Sequence, residues 1–145
     1  MSSTTGAPAT AGANAPPARR RILHPGSAGM LLGGLTMVVG SLLPWVTTPL
    51  GSLSGTVGAG LFTLSAGFIA VAGALLPYRR LAIAHSLLPG VAAGALVTWQ
   101  VGRLMYLSAT TGAWGQLLPG MGLVMVGGAA VILIRTGYRL LSTQE

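Results

Sequence analysis

The sequence predicts an all-α fold: an integral membrane four-helix bundle whose N-terminus and C-terminus both lie in the cytoplasm. Three observations lead to this prediction. Of the 145 residues, 52% are hydrophobic and 6% are charged, with a mean hydropathy of +0.74, whereas soluble domains carry roughly 25% charged residues. Four apolar stretches are each about as long as a membrane-spanning helix. The arginines between these stretches fall almost entirely on one side of a four-span topology.

The N-terminal region, residues 1–27, is predicted to be a disordered cytoplasmic tail. Its first 18 residues are uncharged and rich in Ser, Thr, Ala, Gly and Pro, so they bury too little apolar surface to offset the entropy lost on ordering. Three arginines, Arg19, Arg20 and Arg21, then precede the first apolar stretch, as they would in a signal peptide. We favour a retained span, because no small-x-small cleavage site follows Trp45 and three further apolar stretches come after it.

The membrane domain is expected to comprise residues 28–135, followed by a cytoplasmic tail at 136–145. An apolar helix of about 20 residues crosses roughly 30 Å of hydrocarbon at about 1.5 Å per residue. The stretches are continuously apolar, whereas the strands of a membrane β-barrel are short and alternating. The four predicted spans are residues 28–46, 57–77, 81–102 and 118–135.

Orientation follows from the arginines. In the four-span topology, Arg103 alone falls on one side, near a predicted loop at 103–116. The other seven fall on the opposite side: Arg19, Arg20, Arg21, Arg79, Arg80, Arg135 and Arg139. Because translocation of positive charge is disfavoured, the side with seven arginines is predicted to be cytoplasmic. A second external loop is then expected near residues 47–56.

The third span has a polar face. On a helical wheel, His85, Trp99, Gln100 and Arg103 fall in one sector. One interpretation makes this face the lining of a polar path, since ionisable groups inside a membrane are functional candidates. The favoured alternative places His85 and Arg103 at the two interfaces, because 18 residues of helix cover roughly 27 Å. An aromatic belt of Trp45, Trp99 and Trp114 at the external interface fits the same boundaries.

Small residues recur at four-residue spacing within the spans. Two such pairs are Gly29 with Gly33, and Gly90 with Gly94. In lipid, this spacing lets helix backbones approach closely enough for dispersion and weak hydrogen bonds to drive association. We expect these glycines to pack the spans of one subunit together.

The residue types exclude several kinds of chemistry. The chain has no cysteine and no aspartate, and its only acid is Glu145 at the C-terminus. Its two histidines, His24 and His85, lack the further ligands that a structural or catalytic metal site requires. The arginines are not interleaved with aromatic residues as on a nucleic-acid surface. We therefore expect no catalytic residues, no cofactor, no metal and no nucleic-acid partner, and interpret the chain as a non-enzyme.

One segment carries a family resemblance. The first span ends Gly40-Ser41-Leu42-Leu43-Pro44-Trp45-Val46, and a short loop then leads into Gly55-Thr56-Val57-Gly58-Ala59-Gly60. This pattern resembles small, functionally uncharacterised four-span membrane proteins of actinobacteria, in which the first helix ends in Leu-Pro-Trp. The resemblance covers roughly residues 29–77. It implies a bacterial four-span membrane protein and brings no catalytic residue with it.

The functional expectation is a non-enzymatic, multi-pass protein of the cell (plasma) membrane that acts as an accessory or interaction subunit in the envelope. Its expected partners are the lipid bilayer and other membrane proteins or further copies of the chain. The alternative is a small oligomeric channel, carrier or holin-like pore that uses the polar face of the third span.

Overall fold

The computed structural model describes residues 26–112, 114–116 and 118–143. These residues are mostly helical, which confirms the all-α prediction in outline, and they add a small sheet. The helices are α1 (Ser27–Leu42), α2 (Gly60–Leu75), α3 (Arg79–Thr111) and α4 (Met121–Ser142), with a short 3-10 turn at Gly55–Val57. The strands are β1 (Pro44–Thr48), β2 (Gly51–Ser54) and β3 (Leu118–Pro119). The predicted tail at 1–27 lies almost wholly outside the described residues.

Prolines set the ends of the first two helices. Leu43 and Leu76, the residues that follow α1 and α2, have ψ angles of 165° and 133°. Each precedes a proline, whose ring disfavours the helical conformation of the residue before it. Pro89 instead lies inside α3, where it leaves the carbonyl of His85 without its usual helical donor.

The helices form a ring in which α1 packs on α2 and α4, and α3 packs on the same two helices. All four neighbouring pairs are antiparallel. Two contacts show this for α1 and α4: Gly26 lies beside Leu140 and Gly40 lies beside Val126. One end of the bundle, the arginine end, therefore holds the start of α1, the link from α2 to α3 and the last turn of α4. The three strands lie at the other end, the hairpin end.

The helices differ in length. Helices α3 and α4 are long and apolar enough to cross a membrane, whereas α1 and α2, with 16 residues each, are shorter apolar helices. Helix α3 continues past the predicted boundary at residue 102 and ends where Gly112 adopts a left-handed conformation with φ of 66°. Most of the external loop predicted at 103–116 is therefore helical. Helix α4 likewise continues beyond residue 135, into the predicted C-terminal tail.

The second predicted loop, near residues 47–56, forms most of a β-hairpin. Strands β1 and β2 pair antiparallel, and β3 pairs with the other edge of β1. The Thr48 hydroxyl donates a 2.8 Å hydrogen bond to the carbonyl of Gly51 across the turn. The sheet order β2-β1-β3 thus joins the α1–α2 connection to the α3–α4 connection.

Side-chain size is distributed unusually across the bundle. The interior contains many small residues, among them Ala70, Ala129 and Ser86, each fully buried. A few large side chains, such as Met37 and Leu133, are also buried there, but large apolar side chains cover the outside of every helix as well. Examples are Leu32, Leu35, Phe62, Phe68, Leu88, Val91, Val124 and Val131, all between 55% and 76% exposed. A water-soluble bundle would place such residues inside.

Glycines bring the backbones together. A methyl group built on Gly67 in α2 would lie 3.0 Å from the carbonyl oxygen of Gly34 in α1, and the reverse distance is also 3.0 Å. Such proximity favours dispersion and weak Cα–H hydrogen bonds to carbonyls.

The glycines predicted to pack the spans differ in their surroundings. Gly29 and Gly33 lie against Thr136 and Leu133 of α4. Gly90 lies against Leu133 and Ile134, also of α4. Gly94 has more room, since a methyl group there would meet Ala130 only at 3.8 Å.

Gly67→Ala should destabilise the protein, although alanine is the better helix former by about 1 kcal/mol. The added methyl group meets backbone atoms of α1, which cannot move aside as a side-chain end can, and overpacking of this kind lowers stability by about 1–3 kcal/mol. Gly94→Ala is the control, because its methyl group makes an ordinary contact. Melting temperatures of the purified variants in detergent test this; equal or raised stability of Gly67→Ala would contradict the close packing.

Candidate functional site

Trp45 closes the hairpin end of the bundle. Its side chain is 4% exposed, and its indole Nε1 donates a 3.1 Å hydrogen bond to the carbonyl of Gly40 in α1. In a regular helix that carbonyl would accept from the residue four positions later, but this residue is Pro44, which has no N–H. The indole therefore satisfies a buried acceptor that the proline leaves open.

Three glycines surround the Trp45 ring and backbone. Methyl groups at Gly55 and Gly122 would collide with the indole, and the N–H of Gly120 donates a 2.8 Å hydrogen bond to the Trp45 carbonyl. Trp45 thus joins the end of α1, the hairpin and the start of α4. The prediction that Trp45 belongs to an aromatic belt at the external interface is wrong, because its indole is buried inside the protein and bonded to the Gly40 carbonyl.

A small cavity of about 170 Å³ adjoins Trp45. It lies between the hairpin, the 3-10 turn and α3, and Gln100 is the residue that α3 contributes to it. Ser54 also lines the cavity, and its hydroxyl forms a 2.9 Å hydrogen bond with that of Thr56.

The polar face proposed for α3 is divided in the structure. His85 is half-buried against Gly73 of α2, and its Nδ1 lies 2.8 Å from the carbonyl of Leu81 in its own helix. Because a carbonyl only accepts, Nδ1 carries the proton. Gln100 faces the cavity beside Trp45, whereas Trp99 and Arg103 are exposed. These residues do not line one continuous path.

The length of α2 explains this division. Phe62 and Thr63, near the start of α2, face Ala92, Ala93 and Leu96 of α3 across a shallow cavity. Since α2 begins at Gly60, it covers this side of α3 as far as about Leu96 and no further.

Beyond that point the face of α3 forms an open groove of about 730 Å³. Trp99 and Tyr106 are 72% and 69% exposed along it, and Arg103 lies between them in sequence. Among the described residues, the groove is lined by Ala95, Thr98, Trp99, Gly102, Arg103 and Tyr106. Tyr106 was absent from the predicted site because the helix was expected to end before it.

Three of the buried hydroxyl groups, those of Ser41, Thr63 and Ser86, form hydrogen bonds at helix contacts. Ser86 in α3 donates a 2.6 Å hydrogen bond to the carbonyl of Leu133 in α4. Ser41 in α1 and Thr63 in α2 lie 2.7 Å apart, and each also reaches a carbonyl of its own helix. The two hydroxyl groups have two protons for these three contacts. One hydroxyl therefore donates to a carbonyl of its own helix, and the other donates to the oxygen of the first. Such bonds stabilise membrane helix pairs by about 0.6 kcal/mol on average.

Within residues 26–112, 114–116 and 118–143, no three His, Cys, Asp or Glu side chains lie close enough together to hold a metal ion. The other histidine considered for a shared ligand set, His24, lies outside the described residues. No family model matches this chain, and neither the curated proteins nor the solved structures include a significant match.

Trp45→Phe should lower the free energy of unfolding by about 1–3 kcal/mol, since it keeps an aromatic ring but leaves the buried Gly40 carbonyl without a donor. Trp99→Phe is the matched control, because its exposed side chain should contribute less than about 0.5 kcal/mol. Chemical denaturation in mixed micelles measures both. Equal losses for the two variants would show that the indole bond does not secure this end of the bundle.

Proposed function

We propose that this chain is a non-enzymatic integral membrane protein that crosses the cell membrane four times, with both ends in the cytoplasm. In this proposal it acts by association, as an accessory or interaction subunit of the envelope. The membrane part of the proposal is supported by the large apolar side chains on the outside of the helices and the small ones between them. Lipid chains solvate such a surface, and close backbone approach holds such an interior together.

The helix lengths are compatible with four spans. At about 1.5 Å per residue, α3 and α4 extend roughly 50 Å and 33 Å, whereas α1 and α2 extend roughly 24 Å each. The hydrocarbon core is about 30 Å thick. Local thinning of the bilayer accommodates the shorter pair. The hairpin would then lie at headgroup level, where water can satisfy the edge of its sheet.

The arginines support the proposed orientation. Arg79 and Arg80 begin α3, and Arg139 lies in the last turn of α4, all at the arginine end. The guanidinium of Arg79 donates from Nη2 to the carbonyl of Leu140, which joins α3 to the end of α4. At the hairpin end, Arg103 is the one arginine among the described residues. This asymmetry favours a cytoplasmic arginine end.

An apolar surface at the hairpin end supports the proposal that the chain associates with other proteins. Leu50, at the turn, is fully exposed. Leu53, Val57, Trp114 and Leu118 at the same end are between 53% and 78% exposed. In the proposed topology these side chains lie outside the hydrocarbon, so lipid does not cover them. Exposed apolar groups in such a position are typical of a surface that contacts another protein.

A photoreactive amino acid at Leu50 should give one discrete protein adduct on irradiation of intact cells, because a bound partner would cover this side chain. The same amino acid at Leu35, which is 55% exposed on α1, is the control and should react only with lipid. Adducts are resolved by electrophoresis and mass spectrometry. Lipid adducts alone at both positions would contradict a partner at the hairpin.

A further inference from the structure

The part of α3 beyond the cover of α2 presents a charged and aromatic face. Trp99, Arg103 and Tyr106 are spaced by four and three residues, so they lie on one side of the helix. Gly102 leaves open space beside them, since a methyl group there would meet no heavy atom within 4 Å among the described residues outside its own stretch of helix. We propose that this face, the Arg103 face, binds the phosphate of an outer-leaflet phospholipid, whose acyl chain lies along Gly102 and Ala95. This inference rests on the proposed membrane topology.

Charge argues for an anion from outside the chain. The Arg103 side chain is exposed, and the described residues include no acid that could pair with it. The whole sequence contains one acid, Glu145, which the proposed topology places on the cytoplasmic side. A counter-ion for Arg103 must therefore come from the surroundings.

The position of Arg103 along the helix selects the phosphate. Arg103 follows Arg79 by 24 residues, which corresponds to roughly 36 Å of helix. With Arg79 at one interface and about 30 Å of hydrocarbon between, the guanidinium lies at the level of the opposite headgroups. Trp and Tyr side chains favour the same level. A guanidinium can hold two phosphate oxygens at once through parallel N–H donors.

A second copy of the chain fits this face less well. Homodimers most often have two-fold symmetry, and a two-fold axis through this face would bring one Arg103 close to the other. Without an acid on either copy at this level, the two like charges would repel each other. A lipid phosphate supplies the opposite charge, and its acyl chain covers the open groove.

Quenching of tryptophan fluorescence tests the inference. The protein carrying Trp114→Phe, in detergent micelles, is titrated with phosphatidylglycerol or with diacylglycerol that has the same brominated chains. Two tryptophans remain, and of these Trp45 is buried and Trp99 is exposed. The accessible part of the fluorescence, from Trp99, should be quenched at about tenfold lower mole fraction of phosphatidylglycerol, because only this lipid has a phosphate. Arg103→Gln should abolish the preference and Arg103→Lys should keep part of it. Arg80→Gln, an exposed arginine at the other end, should leave it unchanged.

Three results would overturn the phosphate site. The first is equal quenching by the two lipids in the parent protein, and the second is a preference that Arg103→Gln leaves intact. The third is a change in particle mass or the loss of a bound protein in Arg103→Gln, which would assign the face to a second copy or a protein partner. Failure of the membrane topology would appear separately, as protein that stays dispersed and monomeric once detergent is removed.

Discussion

The distance between helix backbones limits every other feature of this bundle. Where α1 crosses α2 at Gly34 and Gly67, the two backbones lie so close that the α-hydrogens fit between them but a methyl group does not. Apolar burial from water cannot drive association in a bilayer, so stability in the proposed setting depends on dispersion and short polar contacts that require such proximity. The buried hydroxyls of Ser41 and Thr63 meet because the same two helices are close. Glycines and hydroxyl residues therefore meet where α1 crosses α2, while many large apolar side chains lie on the outer surface.

The same dependence on glycine extends to the hairpin end. The Trp45 indole fits there because Gly55 and Gly122 have no side chains, and its Nε1 completes the hydrogen bonding that Pro44 interrupts. This arrangement holds the sheet over α1 and α4 and leaves the far end of α3 partly uncovered. The Arg103 face and the exposed hairpin surface are both consequences. In the proposed topology, the Arg103 face lies at the level of the headgroups, and the hairpin surface faces the space beyond them.

Much of the architecture could be predicted from local sequence. Apolar stretches located the helices, but the first span was expected to reach residue 46, whereas α1 ends at Leu42 because of Pro44. The end of α3 was misplaced because Arg103 was taken to end the helix. A charged residue can mark where a helix leaves the hydrocarbon without ending the helix, and here Gly112 ends it. Strand β3 was missed because β1 pairs with it across more than 70 residues, as Val46 with Pro119. The role of Trp45 could have been found, since Pro44 follows Gly40 by four residues.

In the proposed topology the bundle spans the membrane with its arginine end in the cytoplasm, and cysteine labelling measures this orientation most directly. The chain has no cysteine, so single cysteines can replace Ser52, Ala109 and Ser142, all exposed in the structure. In intact cells, a membrane-impermeant thiol reagent should label Ser52→Cys and Ala109→Cys, whereas Ser142→Cys should react only after the membrane is permeabilised. Labelling of Ser142→Cys from outside, with Ala109→Cys protected until permeabilisation, would contradict the account.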